Sequence, residues 1–177
     1  MSGSTRGGST NTAALRTVQA VATAPMTAAA YEGMAGLLAF NPDDDCEPLP
    51  PTVAELRQQI AAADAVLFCT PEYAGGLPGG FKNLLDWTVG GGGGGGGEIY
   101  GKPVAWINVA VEGRGDRATA SLAQVLGYVG AVAIEPACRR IPVARTAVGP
   151  DGLVTDPRFL ADMAEVLRAI LDYLSAS

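Results

Sequence analysis

Three short stretches of this chain carry residue types that can hold a ligand. The first, Gly3-Ser4-Thr5-Arg6-Gly7-Gly8-Ser9-Thr10-Asn11-Thr12, puts glycines, hydroxyls and one arginine directly before a helical pattern. Backbone N–H groups at a helix N-terminus attract a phosphate, hydroxyls add donors, and Arg6 can supply a charge-assisted contact. The stretch matches neither GxGxxG nor GxxxxGK[ST], and taken alone it reads equally as an unstructured Ser/Gly-rich start. The second, Thr70-Pro71-Glu72-Tyr73-Ala74-Gly75-Gly76, follows a short apolar run. Its proline and glycines, with Gly79 beyond, let backbone approach a flat ring closely, and Tyr73 offers an aromatic edge. Glu72 is a lone acid that suits a solvated loop or a subunit contact as well as a ligand. The third, Ala110-Val111-Glu112-Gly113-Arg114-Gly115-Asp116, also follows a strand-like run and precedes a helix. Read by themselves, Arg114 and Arg117 are more often surface charges than ligands.

These stretches need a frame that brings them to one edge. Ser9 can cap a first helix running to about Val21, and a weak strand is expected at Met26–Tyr31. Residues 41–51 are turn formers and acids, and so form a surface loop. Val53, Leu56 and Ile60 then recur at helical spacing over roughly Val53–Ala63, with Thr52 as cap. Ala65–Cys69 is a continuous apolar run of the length of a parallel strand buried on both faces. Pro78 suits the first turn of a third helix reaching Trp87. A strand at Lys102–Val109 follows, then a helix at Asp116–Val129, a strand at Ala131–Glu135, a possible short strand at Ile141–Ala144 and a last helix at Asp156–Leu174. Strands alternating with helices of this length imply βαβ units: a single α/β domain over residues 1–177, doubly wound, with helices on both faces of a parallel sheet. Ligands of such sheets bind beyond the carboxyl ends of the strands, where all three stretches fall.

Composition removes several classes of chemistry. The chain has no histidine, which excludes Ser-His and Cys-His catalysis and the commonest transition-metal ligand. Cys46, Cys69 and Cys138 are widely spaced and match no metal or redox motif, so no metal site is expected. Cys69, inside an apolar run, reads as a small buried hydrophobe. With net charge −6 and ten scattered arginines, nucleic acid and anionic membranes are not expected partners. No stretch approaches the ~18 apolar residues that span a bilayer, and the Ala-rich segment at Thr17–Ala30 lacks a signal-peptide core. Together with the sparse cysteines, this points to a cytoplasmic protein.

Two features are irregular. Gly90 to Gly97 is an unbroken run of eight glycines, read as a tolerated loop insertion with a hinge or lid as the alternative. The other is an absence. An α/β domain of this kind has a hydrophobic strand feeding its first phosphate loop, but only Met1 and Ser2 precede Gly3. About five residues are needed for such a strand, so the first strand is expected to be missing. A start placed downstream of the true one accounts for this, and genuine truncation is the alternative.

At the first two stretches the sequence resembles the NAD(P)H-dependent FMN reductase family, which includes quinone, chromate and azo-dye reductases. The family pattern G-S-x-R-x-x-S-x-N is matched by Gly3-Ser4-Thr5-Arg6-Gly7-Gly8-Ser9-Thr10-Asn11. Its second signature, T-P-E-Y-N-G-x-x-P-G-x-x-K-N-x-x-D-W, is matched by Thr70-Pro71-Glu72-Tyr73-Ala74-Gly75 and by Pro78-Gly79-Gly80-Phe81-Lys82-Asn83-Leu84-Leu85-Asp86-Trp87. The likeness extends from residue 3 to about residue 145.

The resemblance implies a flavodoxin-like fold with FMN as cofactor. Ser4, Arg6, Ser9 and Asn11 would surround its phosphate. Pro71, Glu72, Tyr73 and Gly75 would line the isoalloxazine, with Ala74 beside the ring where the family has Asn. Lys82, Asn83, Asp86 and Trp87 would serve structure and subunit contact. NAD(P)H would deliver hydride to the flavin, which would reduce a small-molecule acceptor: a flavin, a quinone or an oxyanion. No side chain need act as a catalyst, since the hard chemistry belongs to the cofactor. Arg114 would contact the dinucleotide phosphates, and a homodimer or homotetramer is implied. The third stretch departs from the family's Ser-Pro-Gly-Gly type sequence, and with Ala74 and the absent strand this motivates an alternative, a non-catalytic or truncated flavin-binding paralogue.

Overall fold

The computed structural model describes residues 1–90 and 97–176. Among the described residues, five α-helices surround a small, wholly parallel sheet. Helix α1 spans Thr10–Val21, α2 Pro51–Ala62, α3 Gly79–Asp86, α4 Asp116–Tyr128 and α5 Pro157–Ala176. Strand β1 is Val66–Cys69, β2 Pro103–Asn108, β3 Val132–Ala133 and β4 Arg139–Arg140. β1 pairs with β2 from Val66↔Val104 to Cys69↔Ile107. β3 and β4 both pair with β2, at Pro103↔Val132 and at Asn108↔Arg140, separated by a 3-10 turn at Glu135–Ala137.

The apolar runs of β1 and β2 follow from burial on both faces. Side chains alternate along a strand. Val66, Phe68 and Val104 therefore enter one core, with Val53, Leu56 and Ile60 of α2, Phe81 of α3 and Leu122 of α4. Cys69, Ala105 and Ile107 enter the other, with Ala14 of α1 and Phe159, Met163 and Val166 of α5. Phe68 meets Phe81 edge-on at 5.9 Å. Helices on both faces of a parallel sheet are the doubly wound α/β arrangement, as the strand–helix alternation implies.

Each helix starts at a residue suited to the place. Ser9 accepts a bond from the Thr12 amide at 3.1 Å and caps α1. α2 begins two residues earlier than expected: Pro50, not Thr52, takes the cap position without a side-chain bond, and Pro51 stands in the first turn. Asn83 and Trp87, from the end of the second signature, are structural. Asn83 Nδ2 and Trp87 Nε1 donate to the Leu38 carbonyl at 2.8 and 2.9 Å, and Asn83 Oδ1 accepts from the Phe40 amide at 2.7 Å.

Two strand expectations need correction. Residues 26–31 form no ladder, although half-buried Met26, Ala28 and Ala30 alternate with exposed Thr27 and Ala29. A strand exists only with a partner, and residues 26–31 have none in a ladder among the described residues. The short strand expected at Ile141–Ala144 lies two residues earlier, as β4. Beyond it Ile141 and Val143 still donate to the Asn108 and Val109 carbonyls at 2.8 and 3.0 Å. Among the described residues no strand precedes α1, as expected, and only an isolated bridge stands in its place. Ser2 pairs in parallel with Cys69. Cys69 donates to the Met1 carbonyl at 3.1 Å, and Gly3 donates to the Cys69 carbonyl at 2.8 Å. Of the glycine run, 91–96 lie outside the described residues.

Candidate functional site

The three loops meet at the carboxyl end of the sheet. The first, residues 3–9, leaves Met1–Gly3 and turns into α1. Thr5, Arg6, Gly7 and Gly8 are exposed, whereas Ser4, Ser9 and Asn11 are buried. The Ser9 amide donates to the Arg6 carbonyl, closing the loop, and Ser4 Oγ accepts from the Arg6 amide. The Arg6 guanidinium folds back onto the Gly8 carbonyl at 3.3 Å. Ser9 takes the Thr12 amide as its cap, so the amides of Thr10 and Asn11 point beyond the helix end. No acidic residue stands in this first turn. Asn11 is turned inward: its Oδ1 accepts from the Cys69 thiol at 3.2 Å. Burial pushes that thiol up to about 12, so Cys69 is an inert core group.

The second loop contains a tight turn. Tyr73 and Gly76 exchange backbone bonds in both directions, at 3.0 and 3.1 Å. The two residues between them, Ala74 and Gly75, have φ of 50° and 76°. Positive φ at both central positions is a type I′ turn, the conformation that Asn-Gly favours. Ala74 therefore departs from the family's Asn in backbone as much as in side chain: Asn tolerates the left-handed region and alanine is strained there. Tyr73 stands 55% exposed at the mouth of this turn, and Pro71 is half-buried behind it.

Glu72 faces the other way. Its Oε2 accepts from the Arg117 and Ala118 amides at 3.0 and 3.2 Å, at the start of α4. A carboxylate on the positive end of a helix satisfies amides that have no partner within it. Glu72 thus ties the second loop to the third.

Close backbone contact ties the first loop to the second. A Cβ on Gly3 would come within 2.3 Å of Thr70 Oγ1, so only glycine lets the two loops approach this closely. The Arg117 guanidinium lies against Gly75.

The third loop is braced by residues that sequence reasoning missed. Asn108 Oδ1 accepts from the Ala110 amide at 3.0 Å, and its Nδ2 bonds Thr119 in α4 at 3.1 Å. Arg140 donates to the Ala110, Val111 and Arg114 carbonyls and pairs with Asp116. The only hint of this was an arginine pair after a strand. Arg114 itself is exposed.

Residues 1–143 match the model of the family described as NADPH-dependent FMN reductase. The chain belongs to that family. An NAD(P)H-dependent FMN reductase of Pseudomonas aeruginosa is 30% identical over 171 residues, 96% of this chain and 90% of that protein. A quinone reductase of Escherichia coli (strain K12) is 41% identical over 86 residues, 48% of this chain and 46% of its own length. Among solved structures, FerB, a flavoenzyme NAD(P)H:(acceptor) oxidoreductase from Paracoccus denitrificans, superposes with a TM-score of 0.84 at 30% identity. That match covers 99% of this chain and 95% of FerB. The fold is accordingly flavodoxin-like, and the chain is an oxidoreductase of a family that uses FMN and NAD(P)H.

The residues present fit that cofactor. An exposed stretch, Thr5-Arg6-Gly7-Gly8, leads into an uncapped pair of helix amides, as an anionic phosphate requires. One loop away, a glycine-bearing turn offers bare backbone and Tyr73 to a flat ring.

Proposed function

We propose that the chain transfers reducing equivalents from NAD(P)H through FMN to a small-molecule acceptor (a flavin, a quinone or an oxyanion). The names of the quinone reductases it resembles favour a quinone. The carrying observation is the stitching of three loops at one edge of the sheet: Gly3 against Thr70, and Glu72 on the start of α4. FMN, when bound, supplies the electron chemistry between the two substrates.

In this reading the chain's own residues bind and orient. Ser4, Arg6, Ser9 and Asn11 belong to the phosphate end. The loop amides and α1 receive the charge there, Arg6 swings from Gly8 toward it, and Asn11 anchors the loop to Cys69. Pro71, Tyr73, Ala74 and Gly75 set the ring's plane, and Glu72 holds that loop at a fixed height above α4. Arg114 and Arg117, exposed beside the turn, offer positive charge to the phosphates of an incoming dinucleotide. Orientation of this kind converts an encounter into a positioned transfer.

We place the protein in the cytoplasm as a homodimer or homotetramer. The groove between α3 and α4, about 530 Å³ and lined by Leu77, Leu85, Val125 and Val129, is the subunit contact. With a net charge of −6, neither nucleic acid nor an anionic membrane is the partner we expect; separately, no helix among the described residues is long and apolar enough to cross a bilayer.

Purified protein supplied with FMN should turn yellow and should oxidise NADPH or NADH when a quinone is added. A yellow protein that leaves both nucleotides untouched would select the non-catalytic flavin-binding reading. A colourless, folded protein that takes up no FMN would refute both.

A further inference from the structure

Arg140, the last residue of β4, is half-buried and spends its guanidinium on the backbone of the third loop. Its Nη1 faces three carbonyls: Ala110 and Val111 at 3.4 Å each, and Arg114 at 2.9 Å. Its Nη2 pairs with Asp116 at the start of α4. Asn108, the ladder partner of Arg140 in β2, holds the same loop through the Ala110 amide and the Thr119 hydroxyl. Two residues paired across the sheet thus grip one loop at both ends. Three carbonyl oxygens gathered at one point repel each other, and the cation between them is what keeps them together.

This grip decides where the loop's donors point. A trans peptide sends its C=O and the next N–H in opposite directions. Holding the Ala110 and Val111 carbonyls on the guanidinium therefore aims the Val111 and Glu112 amides away from it. Both residues are exposed, and neither amide has a hydrogen-bond partner among the described residues. The Arg114 amide closes a turn on the Val111 carbonyl at 3.1 Å, with Gly113 at φ 75° in its third position, the type II arrangement. The third loop adjoins the second, not the first: Arg117 lies against Gly75, and Glu72 takes the Arg117 and Ala118 amides.

We propose that Arg140 is a positioning residue for flavin binding. It touches no ligand; it sets the third loop so that the Val111 and Glu112 amides stand beside the second loop as donors already aimed. The inference rests on the FMN reading of the site, and it gives work to a loop whose side chains depart from the family's. Donors ordered in advance cost no further ordering when a ligand arrives, so loosening the loop weakens binding. Because the third loop meets the second, Arg140 serves the ring and not the phosphate.

The test compares the parent chain with Arg140→Ala and Arg140→Lys. Backbone amide relaxation is measured without flavin, and affinity for FMN and for riboflavin, which lacks the phosphate, by fluorescence titration. In Arg140→Ala the order parameters of Val111 and Glu112 should fall from about 0.85 to below about 0.6, while those of β2 stay unchanged. Affinity for both flavins should fall about tenfold or more, by the same factor, because they share the ring. Lysine is a single charged point that cannot span three carbonyls and a carboxylate, so Arg140→Lys should recover only part of the loss. It carries the same comparison if the alanine variant fails to fold. Millimolar guanidinium should restore flavin binding to Arg140→Ala, and equal sodium chloride should not. A loop that stays ordered in Arg140→Ala overturns the proposal, and so does a loosened loop with flavin affinity intact. A loss confined to FMN overturns it too, since Arg140 would then act on the phosphate charge. A parent chain that binds neither flavin refutes the FMN reading and this inference with it, which none of the other outcomes does.

Discussion

Glu72 reads from sequence as a ring contact, and its carboxylate is spent on the helix behind the ring loop. Replacing it by alanine leaves the Arg117 and Ala118 amides without that acceptor and frees the second loop from α4. Bonds to a charged group contribute about 1.5–3 kcal/mol when buried. At this half-buried position a loss of about 1 kcal/mol is expected in urea unfolding, together with weaker FMN binding by fluorescence titration. Glu72→Gln should recover part of both, since an amide oxygen can still accept. If FMN affinity falls with no loss of stability, Glu72 touches the cofactor instead. The Cys69 thiol allows a pH test. Burial holds its folded pKa at about 12, against an ordinary value of 9.0. Below pH 9 the thiol is protonated in both states and contributes no pH dependence. Above pH 9 the unfolded chain loses its proton while the folded chain keeps it. Stability should therefore fall by up to about 1.4 kcal/mol per pH unit between 9 and 12. Burial also lifts Tyr31 to about 12, and its contribution has the same sign. Cys69→Ala should remove the first part of the slope and leave the second.

At the scale of elements, the I′ turn of the second loop is the sharpest case. Alanine in the left-handed region costs about 1–2 kcal/mol relative to a residue that tolerates it. Ala74→Gly and Ala74→Asn should each raise stability by about 1 kcal/mol in denaturant unfolding. No gain from either would mean that the turn is not held in this conformation in solution. The turn was half legible: the glycines marked a loop, but the reciprocal Tyr73–Gly76 bonding was not written in their spacing. What could be read in advance depended on local signals. Ser9 before α1, Pro78 before α3 and the apolar runs of β1 and β2 carry their structure in neighbouring residues. Residues 26–31 did not, because their alternation becomes a strand only beside a partner, and periodicity cannot report a missing neighbour. The bonds that assemble the site lie further off still. Glu72 and Arg117 are 45 residues apart, and Arg140 reaches the third loop only because β4 pairs with the far end of β2. The family motif located the first and second loops, and neither it nor composition could show how the third is braced.

For the molecule as a whole, charge and apolar surface divide the work. The net charge is −6, yet Arg6, Arg114 and Arg117 are exposed on the loops at the site edge and offer positive charge to anionic ligands there, while Arg140 is paired with Asp116. The apolar surface gathers elsewhere. Tyr128 at the end of α4 is 89% exposed, Val89 after α3 is 44% exposed, and the α3–α4 groove runs between them. A large aromatic left in water beside a lined groove marks a protein contact. A second copy of the chain is the occupant expected here, related by a two-fold axis so that each Tyr128 meets the partner's groove. Aromatic anchors at the centre of such contacts carry much of the binding energy. Tyr128→Asp puts a charge where the contact must be dry, so the variant should sediment as a monomer at micromolar concentration while the parent sediments as two or four chains. Lys82 and Asp86 lie along the groove as an i,i+4 ion pair. Such exposed pairs are worth little, so Lys82→Ala should leave the assembly intact. A parent chain that is itself monomeric at that concentration, or a Tyr128→Asp variant with unchanged mass, would move the subunit contact off this face.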